Sequence, residues 1–163
     1  MRNFLVIALT FLSNHLMSQV EQQNYRTLQT IKNIEIREYP PAIYASVTTE
    51  DSNNSLFGIL AGYIFGGNEN KQKIAMTAPV HMHESSEEDN LVTMKFVMPS
   101  EYSMSELSKP NDKRIQISKS ITKKYAAISY NGYNNSQKFN KYKSDLEKQL
   151  QKENINTVGS AIY

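Results

Sequence analysis

Apolar and polar residues alternate along several short segments of this chain, with the two-residue period of half-buried β-strands. In the clearest case Ile34 and Ile36 alternate with Glu35 and Arg37, and Pro40-Pro41 then interrupts the pattern. Proline donates no ladder hydrogen bond, so the strand should end there. Similar alternation predicts further strands over residues 25–31, 43–47, 73–82, 92–98, 115–117 and 125–130. Segments 73–82 and 92–98, joined by a polar acidic loop, are predicted to form an antiparallel hairpin.

One segment near the middle follows the helical period instead. Leu56, Leu60 and Ile64 recur every four residues, and Asn53, Asn54 or Ser55 can cap the helix that they define. Gly66-Gly67 should end it, because glycine reaches positive φ without a Cβ clash. The helix carries no charge, so we expect it to be covered on most sides by a sheet, a ligand or a partner.

A second helix is predicted near the end of the chain. Its apolar positions lie three or four residues apart, and its other faces are rich in lysine. Asn135 or Ser136 should cap its start, and Asn154 its end. The apolar positions are Phe139, Tyr142, Leu146 and Leu150.

The second half of the chain resembles the first at a constant offset of 81 residues, the separation of Ile34 from Ile115. The same offset relates Tyr44 to Tyr125, and it predicts a last strand over Asn154–Tyr163. We therefore predict an α+β fold of two strand-strand-helix-strand repeats related by a pseudo-twofold axis. Their sheets can join edge to edge into an antiparallel barrel or saddle that is flanked by both helices.

The first 18 residues have the order of a signal peptide. Arg2 is followed by an apolar run from Phe4 to Leu12, and Leu16-Met17-Ser18 offers a cleavage site before Gln19. The run is too short to span a membrane. A buried N-terminal helix or a retained anchor is the alternative, but the order of the features favours a secreted or periplasmic protein.

Composition narrows the classes of function. The 163 residues favour a single domain over 19–163, and removal of Arg2 lowers the formal net charge from +2 to +1. Since the lysines are scattered, we expect no nucleic-acid partner. The chain has no cysteine, which excludes disulfides, thiolate metal sites, a cysteine nucleophile and covalently attached c-type haem.

Four motifs occur in the order that is typical of one family. They are Ile34-Glu35-Ile36-Arg37-Glu38-Tyr39-Pro40-Pro41, Ala61-Gly62-Tyr63-Ile64-Phe65-Gly66-Gly67-Asn68-Glu69, Lys73-Ile74-Ala75-Met76-Thr77-Ala78-Pro79-Val80 and Phe96-Val97-Met98-Pro99-Ser100-Glu101-Tyr102. With these motifs the chain resembles the SOUL haem-binding family over nearly all of residues 19–163. The resemblance implies a distorted β-barrel with two helices and non-covalent binding of haem or another tetrapyrrole.

Haem binding requires an apolar slot and cations or donors for the propionates, and an axial ligand is optional. Many relatives carry arginines just before the Leu-Ala-Gly-Tyr stretch, whereas Gly58 and Ile59 stand there in this chain, so Lys71 or Lys73 would have to serve. Residues of the apolar helix and nearby methionines could line the slot, although the same spacing is also that of plain core. They are Leu56, Leu60, Tyr63, Ile64, Met76 and Met94.

His81 and His83 point to the same side of a predicted strand, where either imidazole could ligate haem iron. With Glu84 or Glu87 they could also hold a metal ion, but an exposed hairpin end is the simpler interpretation and we predict no metal site. No nucleophile elbow, phosphate loop or triad accompanies them. Charged strand residues such as Glu35 and Glu38 are interpreted as a solvated face.

The sequence therefore favours a non-catalytic, monomeric carrier or buffer of haem or another tetrapyrrole. One alternative is a hydrolase or small-molecule effector domain on the same fold, which would carry a pocket carboxyl of raised pKa. Another is a protein-interaction module that uses the uncharged helix as its contact surface.

Overall fold

Nine strands and two helices are present in a computed structural model that describes residues 20–50, 55–84, 91–159 and 161–163. The helices are α1 (Ser55–Ile64) and α2 (Ser136–Lys152). The strands are β1 (Glu21–Gln22), β2 (Arg26–Ile31), β3 (Ile34–Tyr39), β4 (Ile43–Thr49), β5 (Thr77–Ala78), β6 (Val80–Glu84), β7 (Val92–Val97), β8 (Gln116–Lys119) and β9 (Lys123–Ile128).

The strands form three sheets, with the orders β1-β5, β2-β3-β9 and β6-β7-β4-β8. The pair β1-β5 is parallel, and the pairs in the two larger sheets are antiparallel. The α+β class and the hairpin of β6 with β7 are therefore confirmed. Three pairings, β3 with β9, β4 with β7 and β4 with β8, join strands before residue 50 to strands after residue 90.

The predicted barrel is not found, because the described strands close no barrel. Pro40-Pro41 separates β3 from β4, and these consecutive strands belong to different sheets. The structure does not confirm the pseudo-twofold repeat either. Where the offset predicts a strand over Asn154–Tyr163, the described residues form one isolated bridge between Ile162 and His83.

The prediction of one continuous strand over 73–82 is wrong. The first strand of this segment starts only at Thr77, and Pro79, which follows a cis peptide bond, separates β5 from β6. Proline has no N–H to give to a ladder, which explains the break. As a result Ile74 and Met76, which were expected to share a buried face, have different environments: Ile74 is buried and Met76 is 37% exposed.

The core lies between α1 and the sheet β6-β7-β4-β8. Ala45 and Val47 of β4 and Met94 and Phe96 of β7 face α1, as the two-residue alternation of a strand requires. In register, Ala45 is opposite Phe96 and Val47 is opposite Met94, so the four side chains form one apolar surface.

The end of α1 is set by two glycines. The N–H of Gly67 donates to the carbonyl of Gly62 at 2.8 Å, and the N–H of Gly66 donates to that of Tyr63 at 3.3 Å. Gly66 has φ of 107°, so this is a Schellman motif with Gly66 in the left-handed position. The predicted C-terminal cap is confirmed.

Helix α2 is capped as its sequence predicts. The side chain of Asn135 accepts a hydrogen bond from the N–H of Lys138 at 2.9 Å. Asn154 has φ of 55°, and the N–H of Ile155 donates to the carbonyl of Leu150 at 2.9 Å. The same Schellman pattern therefore ends both helices, with asparagine in place of glycine in α2.

Candidate functional site

The helix α1 buries most of the residues that were predicted to line a haem slot. Together with Met94 of β7 they form part of one continuous core cluster, and each is at most 9% exposed. They contact the strands β4 and β7 rather than an open slot. These helix residues are Leu56, Leu60, Tyr63 and Ile64.

The opposite side of α1 faces outward and carries no charge. We call Phe57, Gly58, Ala61, Gly62 and Phe65 the α1 outer face. Phe57 is 46% exposed and Phe65 68%, so the sheet covers one side of this helix, and cover of the other side by a ligand or partner stays a prediction. Among the residues that the structure describes, no atom would lie within 4 Å of a Cβ added at Gly58 or Gly62. The α1 outer face is therefore a flat apolar strip with an aromatic ring toward each end.

A buried polar network holds the end of α1 in place. The side-chain amide of Asn68 donates to the carbonyls of Tyr63 at 3.0 Å and Gln72 at 2.8 Å, and its oxygen accepts from the N–H of Gln72 at 2.8 Å. The hydroxyl of Tyr63 donates to the carbonyl of Ser108 at 2.9 Å. Such fully paired networks fix one backbone arrangement. Hydrophobic periodicity gave no signal for Asn68, because its role depends on hydrogen bonds to main-chain groups of Tyr63 and Gln72.

The predicted cationic residue Lys73 lies beside the end of α1. Its backbone forms an isolated antiparallel bridge with Phe65, and the N–H of Ile74 donates to the carbonyl of Ile64 at 2.8 Å. The side chains of Lys71 and Lys73 are both exposed. Two ammonium groups therefore lie in the segment that follows the α1 outer face.

The structure does not bring His81 and His83 to that site. Val80 and Met82 of β6 pack against the core that α1 covers, so the histidines between them lie on the opposite face of the sheet. His81 Nε2 lies 3.0 Å from the side-chain oxygen of Gln23. Burial, with a smaller effect of the nearby Lys95 charge, lowers the pKa of His81, and the imidazole is neutral at pH 7.

Several sequence predictions fall outside the described residues. They concern the signal peptide 1–18, the candidate caps Asn53 and Asn54, and Glu87 of the acidic loop. Within the described ranges no group of three or more metal-ligating side chains occurs, and no helix has the length and apolar character needed to cross a membrane.

Two cavities lie along α2, and none of the predicted site residues lines either of them. One of about 470 Å³ is lined by Ser144, Leu150 and Ile155, among others. The other, of about 370 Å³, lies near the N-terminus of α2 between Asn135, Phe139 and Tyr163. Neither cavity includes a residue of α1.

The described part of the chain thus has an α+β fold with two helices, one of which exposes an uncharged, apolar face. The model of the SOUL heme-binding protein family matches residues 20–163, which is nearly the whole chain. The chain belongs to this family, and non-covalently bound haem is the cofactor that the family indicates. No curated protein matches the chain in a sequence comparison.

Proposed function

We propose that the protein binds haem or a related tetrapyrrole without catalysis, as a carrier or buffer, and that the macrocycle lies on the α1 outer face. The observation that supports this most directly is an exposed, uncharged helix face in a chain of a haem-binding family. Burial of exposed apolar surface against a planar ligand supplies the free energy of binding.

The α1 outer face suits a flat ligand. Gly58 and Gly62 have no Cβ, so a macrocycle can approach the helix backbone, and Phe57 and Phe65 provide rings toward each end of that surface. These rings are separated by about 12 Å along the axis at 1.5 Å per residue. In this assignment the predicted residues do not contact the ligand but anchor α1 to the sheet, where Met94 packs with them. They are Leu56, Leu60, Tyr63 and Ile64.

Charge is available for the propionates. Lys71 and Lys73 are exposed beside the end of α1, where each ammonium group can pair with a carboxylate. The exposed thioether of Met76 follows three residues after Lys73 and is a candidate axial ligand. When bound, the haem would supply its iron and its strong absorption, while these residues hold and orient it.

The experiment is a haemin titration followed by the Soret band. We expect saturable binding by the wild-type protein, and a loss of about tenfold or more in affinity for Phe65→Ser, since burial of one such ring contributes about 1.5–3 kcal/mol. Tyr133→Ser is the matched control, because Tyr133 is 98% exposed and lies in the loop before α2. A linear titration that never saturates, without a sharpened Soret band, would reject haem binding.

The same surface supports a second candidate, a protein-interaction module. Exposed phenylalanines on a helix without charged residues are typical of protein contact sites as well. This candidate predicts no saturable haemin binding. If the surface binds a second copy of the chain, sedimentation should show concentration-dependent association in place of the expected monomer. Phe65→Ser should then abolish that association.

The hydrolase alternative has less support. Carboxyls with resolved pKa shifts among the described residues, Glu106, Asp112 and Asp145, are all shifted downward by hydrogen bonds from Ser103, Arg114 and Lys141 respectively. An acid that donates a proton near neutral pH needs the opposite shift. These three groups are therefore unsuited to that role.

We also propose that residues 1–18 are a cleaved signal peptide and that the mature domain, 19–163, is secreted or periplasmic. The order of Arg2, the apolar run 4–12 and Leu16-Met17-Ser18 supports this. Expression of the full sequence in a secreting host should give an exported protein that begins at or near Gln19. Intact-mass analysis that finds Met1 in the exported fraction would contradict the proposal.

A further inference from the structure

Three tyrosines from separate segments pack in a row at the sheet β2-β3-β9, and Tyr44 of the other large sheet interacts with two of them. We call Tyr25, Tyr39, Tyr44 and Tyr125 the tyrosine cluster. The ring centroid of Tyr39 lies 5.3 Å from that of Tyr25, in a tilted contact, and 5.6 Å from that of Tyr125, in an edge-on contact. Edge-on packing leaves ring faces available to a further ring.

The fourth member comes from the other large sheet. Tyr44 lies on β4 between Ile43 and Ala45, which both face the core, so its ring lies on the opposite face. Burial raises the pKa values of Tyr44 and Tyr125, and the neighbouring phenol of Tyr39 raises both further. The phenol of Tyr44 is therefore near enough to those of Tyr39 and Tyr125 to interact with them electrostatically.

An arginine lies within this aromatic group. The Arg37 guanidinium is 4.3 Å from the centre of the Tyr25 ring, and its Nε donates to Glu35 at 2.7 Å. A hydrogen bond to Tyr39 contributes to its raised pKa. Guanidinium has five N–H donors, and in the described part of the chain Glu35 and Tyr39 are the side-chain acceptors that it meets. Further donors remain, although the side chain is only 19% exposed.

The charges that share this face favour an anion. Lys123 is directly opposite Tyr39 in the β3-β9 pair, and Lys95 is directly opposite His81 in the β6-β7 pair. With Arg37 they give three cations against the single carboxylate of Glu35 at the paired positions. Arg26 and Glu38, which pair at 2.8 Å, lie on the other face of the sheet.

We propose that the tyrosine cluster and Arg37 form a binding site for a small planar aromatic carboxylate. The ring of the ligand stacks on the exposed rings of Tyr25 and Tyr125, and its carboxylate accepts hydrogen bonds from the Arg37 guanidinium. Nothing in the haem proposal requires this site, because α1 packs on the sheet β6-β7-β4-β8, whereas Arg37 and Tyr125 belong to the sheet β2-β3-β9.

Calorimetric titration with 1-naphthoate tests the proposal, and the neutral 1-naphthamide is the matched ligand control. We expect saturable binding of the carboxylate and binding of the amide that is about tenfold weaker or more, since a charged hydrogen bond contributes substantially more than a neutral one. Arg37→Gln should remove that difference, whereas Arg26→Gln should preserve it.

Three outcomes would overturn the proposal. They are wild-type protein that gives no saturable heat, equal affinity for the carboxylate and the amide, and equal weakening by Arg26→Gln and Arg37→Gln. Ring-proton shifts of the wild-type tyrosines on adding 1-naphthoate provide a readout that does not depend on the folding of a variant. Phe65→Ser should leave naphthoate binding unchanged, and loss of binding there would assign the ligand to the α1 outer face instead.

Discussion

Gly66 and Gly67 are both required at the end of α1, but for different physical reasons. Gly66 takes the left-handed conformation, with φ of 107°. Gly67 does not, yet a Cβ there would lie 2.6 Å from the carbonyl oxygen of Gly62. The constraint at Gly67 is therefore close packing of backbone against backbone, rather than positive φ.

A pair of alanine variants separates these effects. Gly67→Ala should lower the free energy of unfolding by about 1–3 kcal/mol, the usual cost of overpacking. The new methyl group and the Gly62 carbonyl oxygen are both fixed by the backbone, so neither can move away without shifting the main chain. Gly58→Ala should raise it by about 0.5–1 kcal/mol, since alanine is the better helix residue and no atom is close. Urea denaturation checks both values, and an unchanged stability of Gly67→Ala would show that the predicted clash is absent.

His81 makes stability depend on pH. Burial lowers its folded pKa below 6.5, so the unfolded chain binds a proton on this imidazole at pH values where the folded chain does not. Stability should therefore rise with pH through this window, and should fall as the pH drops below about 6.5. Urea denaturation between pH 5 and 8 should show a shallower pH dependence for His81→Gln than for the wild type. His83→Gln is the control on the same strand, and identical profiles for all three proteins would refute the assignment.

The helices and the hairpin could be predicted because their signals are local. Leu56, Leu60 and Ile64 repeat every four residues, and the caps Asn135 and Asn154 lie directly at the helix ends. The same period identifies only the buried side of α1, which is why it indicated core residues as the site. Phe57 and Phe65 became candidates only when the sheet was seen to cover the other side. The tyrosine cluster depends on strand pairing across the chain, which has no local signal.

The C-terminal residues act as a short cover for the free edge of β6. Met82 and Tyr163 exchange two backbone hydrogen bonds, of 2.6 and 3.0 Å, and the Tyr163 ring lies 4.6 Å from that of Phe139 on α2. Removal of Ile162 and Tyr163 should lower the unfolding free energy by about 2 kcal/mol, from two hydrogen bonds and one ring contact. It should also promote association through the opened strand edge.

Thermal denaturation and light scattering measure these two effects. Tyr163→Ala is the control, because it removes the ring contact but keeps the backbone pairing, and it should lose stability without associating. A truncated chain with the melting temperature of the full chain would show that the edge needs no cover.

At the scale of the whole molecule, the sheet β6-β7-β4-β8 separates two surfaces of different chemistry. The side that packs on α1 leads outward to an apolar strip, and the other side carries Tyr44 and both histidines. Arg37, Tyr39 and Tyr125 belong to the neighbouring sheet β2-β3-β9. The prediction that placed the apolar helix and the two histidines in one haem site did not take account of the sheet that lies between them. Side chains alternate along β6, so residues that are adjacent in sequence, such as Met82 and His83, belong to opposite surfaces.

This separation makes a prediction about iron ligation. If haem lies on the α1 outer face, His81 and His83 cannot reach its iron, because the sheet lies between them. The double change His81→Ala, His83→Ala should therefore leave the Soret maximum unchanged and alter the haemin dissociation constant by no more than about twofold, which is well under 1 kcal/mol. Phe65→Ser, tested in parallel, should weaken binding. A double variant that lost all binding while Phe65→Ser retained it would place the haem against β6, with the histidines rather than the apolar helix face holding it.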